Sequence, residues 1–171
     1  MNKTVRIALV ALLCVGAAAC SKKEVKPPVA SGVDNTPAPM TAGDQTSGKY
    51  GPEDLDRDSC LRQRVVYFDF DKTEIKPEFQ AIMACHAKYL QDRPMAQVRL
   101  EGNTDERGTR EYNLGLGEHR AQAVSSALQA AGGSTSQINV ISYGKEKPTC
   151  REHNEDCWGK NRRVEIVYTA K

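Results

Sequence analysis

Aromatic residues are scarce in this chain of 171 residues, at 6% with one Trp. Long apolar runs are scarcer. The longest, residues 7–19, has about 13 residues, too few to cross roughly 30 Å of hydrocarbon as a helix. Net charge is nearly absent, with 24 Lys and Arg against 22 Asp and Glu. Binding to nucleic acid rests on a basic excess on one face, and none is evident. No nucleophilic serine elbow, HExxH pair or phosphate-cradling glycine loop occurs, which removes the common signatures of hydrolases and nucleotide enzymes. The hydrophobic content of 39% is enough for one modest core.

What is present begins with a three-part leader. Asn2, Lys3 and Arg6 form a polar, positive start, residues 7–19 form an apolar run, and Ala17, Ala18 and Ala19 precede Cys20. Ordinary cleavage would leave Cys20 as a free thiol at a new N-terminus. The segment instead resembles a bacterial lipoprotein signal, whose small-residue box ends in the cysteine that receives lipid. Ala17 stands where leucine is commoner. The resemblance implies a signal peptide over 1–19, lipid on Cys20 and, because Ser21 is not acidic, sorting to the outer membrane with the remainder facing the periplasm. Loss of residues 1–19 takes away Lys3 and Arg6, so that the basic residues then equal the 22 acidic ones.

Cys60, Cys85, Cys150 and Cys157 remain after Cys14 leaves with the signal and Cys20 is lipidated. Four cysteines allow three pairings, and an oxidising compartment favours disulfides. The sequence-local choice is Cys60–Cys85 with Cys150–Cys157, each contributing about 2–3 kcal/mol in the chain-entropy account. The competing reading makes Cys150, His153 and Cys157 metal ligands, but a structural zinc needs a fourth. We therefore expect no metal, and no cofactor.

Residues 20–57 are read as the lipidated cysteine and a tether. They are rich in Pro, Ala, Gly, Ser and Thr and lack apolar periodicity. Such a stretch spans about 35 Å when freely coiled and about 120 Å when extended. The folded domain is expected over 58–171. RVVYFDF (64–70) alternates and reads as a strand. Pro77 opens a helix carrying Phe79, Ile82, Met83, His86 and Leu90 at helical spacing up to Asp92. QVRLEGN (97–103) is a second strand, and a long helix follows from about Arg110 to Ala131, stopped by Gly132–Gly133. Its inward stripe is Leu114, Ala121, Val124 and Leu128. INVISYG (138–144) and RRVEIVYT (162–169) supply the third and fourth strands, with a long cysteine-clipped loop between them. The order β-α-β-α-β-β predicts an α+β two-layer sandwich with a mixed four-stranded sheet and helices on one face.

The chemistry concentrates in GNTDERGTREYNLGLGEHRA (102–121). A polar loop carries Asn103, Thr104 and Asp105, and Gly108 lets it turn. On the helix beyond, Asn113, Leu116, Gly117 and Arg120 share a face that looks back at the loop. Asp105 and Arg120 then flank one cleft, as a structural ion pair or as a receptor for a zwitterion. In the second case the carboxylate takes an ammonium and the guanidinium a carboxylate.

The strings VYFDFDKTEI, EGNTDERGTREYN, LGLGEHRA, SYGKEKP and KNRRVEIVY resemble the OmpA-like peptidoglycan-binding domain family over about residues 65–169. The lipid signal and tether match the lipoprotein branch of the Tol–Pal system. The resemblance implies no enzyme but a wall binder that reads diaminopimelate in the peptide stem of peptidoglycan. By position, Asp105 should bind the ammonium and Arg120 the carboxylate, with Asp71 and the Phe70 backbone beside them. Asn103, Thr104 and Asn113 should bond around the stem, with Leu116 on the same face and Arg162 at the rim. It also implies docking to TolB and other Tol proteins, and a part in envelope integrity and cell division. His119, Thr109-Arg110, the four cysteines and Trp158 depart from the usual pattern without touching the cleft.

A glycan-hydrolysing reading of Asp69, Asp71, Asp105 and Glu106 needs one carboxyl with a raised pKa, whereas Arg120 nearby would lower it. A calcium loop starting at Asp69 fails at Glu74 and Gln80.

Overall fold

The computed structural model of the protein describes residues 48–171. The expected signal peptide, Cys20 and the tether up to residue 47 lie outside the described residues. Four helices and four strands follow in chain order: α1 (Asp54–Arg57), β1 (Val65–Tyr67), α2 (Gln80–Asp92), β2 (Gln97–Asn103), α3 (Arg110–Ala130), β3 (Ile138–Gly144), α4 (Glu155–Asn161) and β4 (Arg163–Ala170). The sheet order is β1-β4-β2-β3. β2 and β3 run parallel, and β4 is antiparallel to both β2 and β1. This is the expected mixed sheet with helices on one face.

The side-chain period of two decides which residues face the helices. Val98 and Leu100 of β2 and Val164 and Ile166 of β4 are buried against Ile82, Met83 and Leu90 of α2 and Ala121, Val124 and Leu128 of α3. Full burial of each large aliphatic side chain is worth about 1.5–3 kcal/mol. The opposite sheet face is covered by charge, with Arg99 2.6 Å from Glu101 and Arg163 2.6 Å from Glu165. Among the described residues, no helix is long and apolar enough to cross a membrane.

Three expectations need correction. The tether does not extend to residue 57, because Leu55 of α1 is fully buried in the core and the Tyr50 N–H donates to Asp92 at 3.0 Å. The first strand does not run over 64–70. β1 stops at Tyr67, where Phe68 still donates its N–H to the Arg162 carbonyl, and the chain then turns away with Asp71 at φ 57°. The stretch 145–161 is not all loop, since it ends in α4, capped by the Asn154 side chain accepting from the Cys157 N–H at 2.9 Å. Pro77 also opens a 3-10 turn, Pro77–Phe79, before α2 begins.

Disulfides join Cys60 to Cys85 and Cys150 to Cys157. The first fixes the segment after α1 onto α2. The second ties the start of the 150–157 loop to α4, and it leaves neither cysteine available as a metal ligand.

Candidate functional site

The site forms where the parallel strands β2 and β3 end together and α3 begins. Gly102 and Gly117 bring helix and sheet to backbone contact, for a Cβ on Gly102 would sit 1.9 Å from the Gly117 carbonyl oxygen. That approach presses α3 flat on the sheet and carries Arg120 under the strand ends. The loop that follows β2 turns at Gly108, whose φ of +96° suits glycine. Asn113 holds the loop by donating from Nδ2 to the Arg107 and Thr109 carbonyls, both at 2.9 Å. Lys145, just after β3, donates to the Gly108 carbonyl at 2.6 Å. The Thr109 side chain caps α3 by accepting from the Tyr112 N–H at 3.2 Å.

These elements enclose a cleft of about 230 Å³. Of the residues expected from sequence, Asp105, Arg120, Asp71, Phe70, Thr104, Asn113 and Leu116 line it. Asn103 and Arg162 do not. Asn103 supplies only its carbonyl, which accepts from Arg120 Nη1 at 3.2 Å, while its amide donates to the Glu101 carbonyl at 2.9 Å. Arg162 is not at the rim: it is buried behind Asp105, donating to the Phe68 carbonyl at 3.1 Å and to Glu155 at 2.5 Å. Arg107, Gly108 and Tyr112 also line the cleft. Spacing marks Gly108 only as a turn and does not single out the other two. The available signal was Arg107's position two residues after Asp105 in a tight loop, the reach at which an Asp side chain bonds its own turn.

Asp105 and Arg120 share the cleft but are not paired with each other. Arg120 is completely buried, and its guanidinium donates to the carbonyls of Lys72 at 2.8 Å, Asn103 at 3.2 Å and Asp69 at 3.0 Å. Those bonds use three of about five guanidinium N–H groups. Burial, and next the positive charge of Arg162, push its pKa down to about 10, so it stays protonated at neutral pH. Asp105 is 4% exposed. Burial alone would raise its pKa, but hydrogen bonds from Arg107 and Arg162 outweigh this and hold the carboxyl below its usual range. The cleft therefore presents a fixed anion and a fixed cation in a small space largely removed from water.

The rim is aromatic. Contrary to the expectation from sequence, Trp158 reaches the rim: the Arg107 guanidinium lies over the Phe70 ring, 4.1 Å from the centroid, and over the Trp158 ring, at 4.2 Å. The indole N–H donates to Glu106 at 2.8 Å, and Glu106 also meets His153 Nδ1 at 2.6 Å. Across the mouth, the Tyr112 hydroxyl donates to Asp71. Phe70 and Tyr112 are 55% and 51% exposed.

Comparison with known proteins fits this geometry. The OmpA family model matches residues 67–162, from the end of β1 to the arginine behind Asp105. A peptidoglycan-associated lipoprotein of Haemophilus influenzae is 41% identical over 98% of this chain and 100% of that protein. One from Pseudomonas aeruginosa is 38% identical over 97% of this chain and 98% of that protein. The crystal structure of the peptidoglycan-associated lipoprotein from Burkholderia pseudomallei superposes with a TM-score of 0.66 at 46% identity, covering 68% of this chain and 98% of that one. Fold, cleft-bearing segment and overall similarity agree, and the chain belongs to the OmpA family, among the peptidoglycan-associated lipoproteins.

Proposed function

We propose that this chain is a non-enzymatic lipoprotein of the cell envelope that binds peptidoglycan through the cleft below β2 and α3. The observation that carries the proposal is the pair of buried opposite charges, Asp105 and Arg120, lining one cavity. The ligand moiety is the free amino-acid centre of diaminopimelate in the peptide stem. Its ammonium goes to Asp105 and its carboxylate to the two Arg120 N–H groups not used by backbone carbonyls. Thr104 and Leu116 line the path of the stem, Asn113 keeps the loop in place, and Asp71 stands at the mouth beside Phe70. The names of the relatives support peptidoglycan as the target. In this reading, lipid on Cys20 anchors the domain to the outer membrane, with the folded part facing the periplasm.

A second role, docking of TolB and other Tol proteins with a part in cell division, rests on the family resemblance and on the exposed aromatics at the rim. Occupation of the rim by a partner excludes the wall fragment, so the two compete for the domain. Simultaneous tight binding of both would end that reading.

Co-sedimentation of the chain from Ser21 onward with diaminopimelate-type sacculi tests the primary role, beside Asp105→Asn and Arg120→Lys. We expect the parent to pellet with the wall and both variants to stay in solution with unchanged circular dichroism. A parent that stays in solution removes the wall-binding reading.

A further inference from the structure

Asp105 is already fully bonded. Its Oδ1 accepts from the Arg107 backbone N–H and from Arg107 Nε, both at 3.1 Å. Its Oδ2 accepts from Arg107 Nη2 at 2.7 Å and from Arg162 Nη1 at 3.3 Å. A carboxylate has about four lone-pair positions, so an incoming ammonium finds none open. One of these donors must leave before a cation can bind. Arg162 is held by the Phe68 carbonyl and Glu155 and is buried. The Arg107 backbone N–H belongs to the braced loop. The Arg107 side chain is different: it is 32% exposed, and a second carboxylate, Glu155, waits 3.7 Å away.

We propose that the Arg107 side chain occupies the ammonium seat on Asp105, so that ligand binding is an exchange of one cation for another on that carboxylate. The inference rests on the reading of Asp105 as the ammonium receptor. Arg107 thereby sets both affinity and specificity. Exchange keeps the buried carboxylate paired throughout, which avoids the penalty of leaving it bare. Only a ligand that brings its own cation can complete the exchange, and a neutral or purely anionic analogue leaves the seat shut. Phe70 and Trp158 bias the closed state, since both rings lie within 4.2 Å of the guanidinium, and Glu155 receives it when it moves. Trp158, the one Trp of the chain, reports the movement.

The test titrates the chain from Ser21 onward with meso-diaminopimelate and with pimelate, the same diacid skeleton without amines, by calorimetry and Trp158 fluorescence. Arg107→Ala is expected to tighten diaminopimelate binding by about two- to fivefold, the scale of a partly exposed ion pair, and to leave pimelate unchanged. The parent's emission changes on binding diaminopimelate, whereas that of Arg107→Ala does not. Trp158→Leu, which keeps both charges and removes half of the stack, shifts affinity in the same direction by less, and decides the matter if Arg107→Ala does not fold. Binding by Arg107→Ala where the parent binds nothing measurable also supports the exchange. Weaker diaminopimelate binding by either variant, or the same emission change in parent and Arg107→Ala, overturns it in favour of a direct ligand contact. If no protein in the set binds diaminopimelate, the Asp105 assignment itself fails and the exchange with it.

Discussion

The two ends of the sheet solve one structural problem with different chemistry. At the end away from the cleft, the buried Gln137 amide nitrogen lies 3.0, 2.9 and 3.1 Å from the carbonyls of Leu90, Arg93 and Ala96. It satisfies the chain where α2 finishes, using a neutral group. At the cleft end Arg120 also gathers three carbonyls, but with a charge whose burial pushes its pKa down to about 10. Bracing alone does not require that charge, as Gln137 demonstrates. The surplus at Arg120 is what a carboxylate ligand would use. The contrast sets a neutral brace whose role ends with folding beside a charged one that, in the proposed reading, also serves recognition.

Truncating the two braces breaks the comparison most sharply. Arg120→Ala should cost about 4 kcal/mol of stability, from three charge-assisted bonds lost at once, and abolish sedimentation with sacculi. Gln137→Ala should cost about 2 kcal/mol and leave sedimentation unchanged. Urea unfolding gives both values, and a binding loss in Gln137→Ala would dissolve the distinction.

The two disulfides offer the next contrast. The separations are 25 residues for Cys60–Cys85 and 7 for Cys150–Cys157. Loop entropy alone predicts losses of about 3.5 and about 2.4 kcal/mol for the paired serine variants. The smaller loss should carry the larger functional effect, because Cys157 sits beside Trp158 and the wall of the cleft. Equal wall affinity in the two variants would show that the stapled loop does not shape the site.

Acid should dismantle the two ends in sequence. His86 is completely buried, with Nε2 3.0 Å from the Gln63 carbonyl and Nδ1 2.8 Å from the Tyr168 hydroxyl. The carbonyl can only accept, so Nε2 carries a proton, and burial keeps the ring neutral at pH 7. Burial pushes its pKa down to about 4 from 6.5. Between those values the unfolded chain binds a proton that the folded chain refuses. Stability should therefore be full above pH 6.5 and fall by about 2–3 kcal/mol as pH drops to 4. Asp105, held below its usual range, keeps its contribution until the pH falls below its unfolded value of 3.8. Stability that stays flat from pH 6.5 to 4 would contradict the account of His86.

The smallest effect belongs to the α4 cap. Asn154→Ala should cost about 1 kcal/mol in thermal unfolding, and it sharpens the comparison by loosening the cleft end alone.

Much of this was legible in the sequence. QVRLEGN and INVISYG alternate cleanly because one face of each strand is buried under helices, and the long apolar stripe marked α3. The failures share a cause. β1 is short because its chain leaves the sheet to build the cleft, although FDF continues to look like strand. α1 and α4 have four and seven residues, too few for a period to emerge, and Leu55 sits in a composition that otherwise reads as tether. The cleft residues could be named from spacing and resemblance, but their partners could not. Spacing offers Arg120 as the mate of Asp105 and says nothing of Arg107, and only the folded chain shows that Arg107 and Arg162 hold the carboxylate while Arg120 binds carbonyls.

β4 follows every other element in the chain, yet it lies in the interior of the sheet, between β1 and β2. A polypeptide threaded through a membrane from its N-terminus delivers that strand last. Until it arrives, β1 has no neighbour to pair with, and Arg162, one residue ahead of β4, is not yet at Asp105. In any chain delivered from its N-terminus the sheet thus stays open until the last residues arrive. A chain broken off before residue 162 would keep β2, β3 and the loop that carries Asp105 and Arg107, but it would lack the buried Arg162 that closes the carboxylate from behind at 3.3 Å.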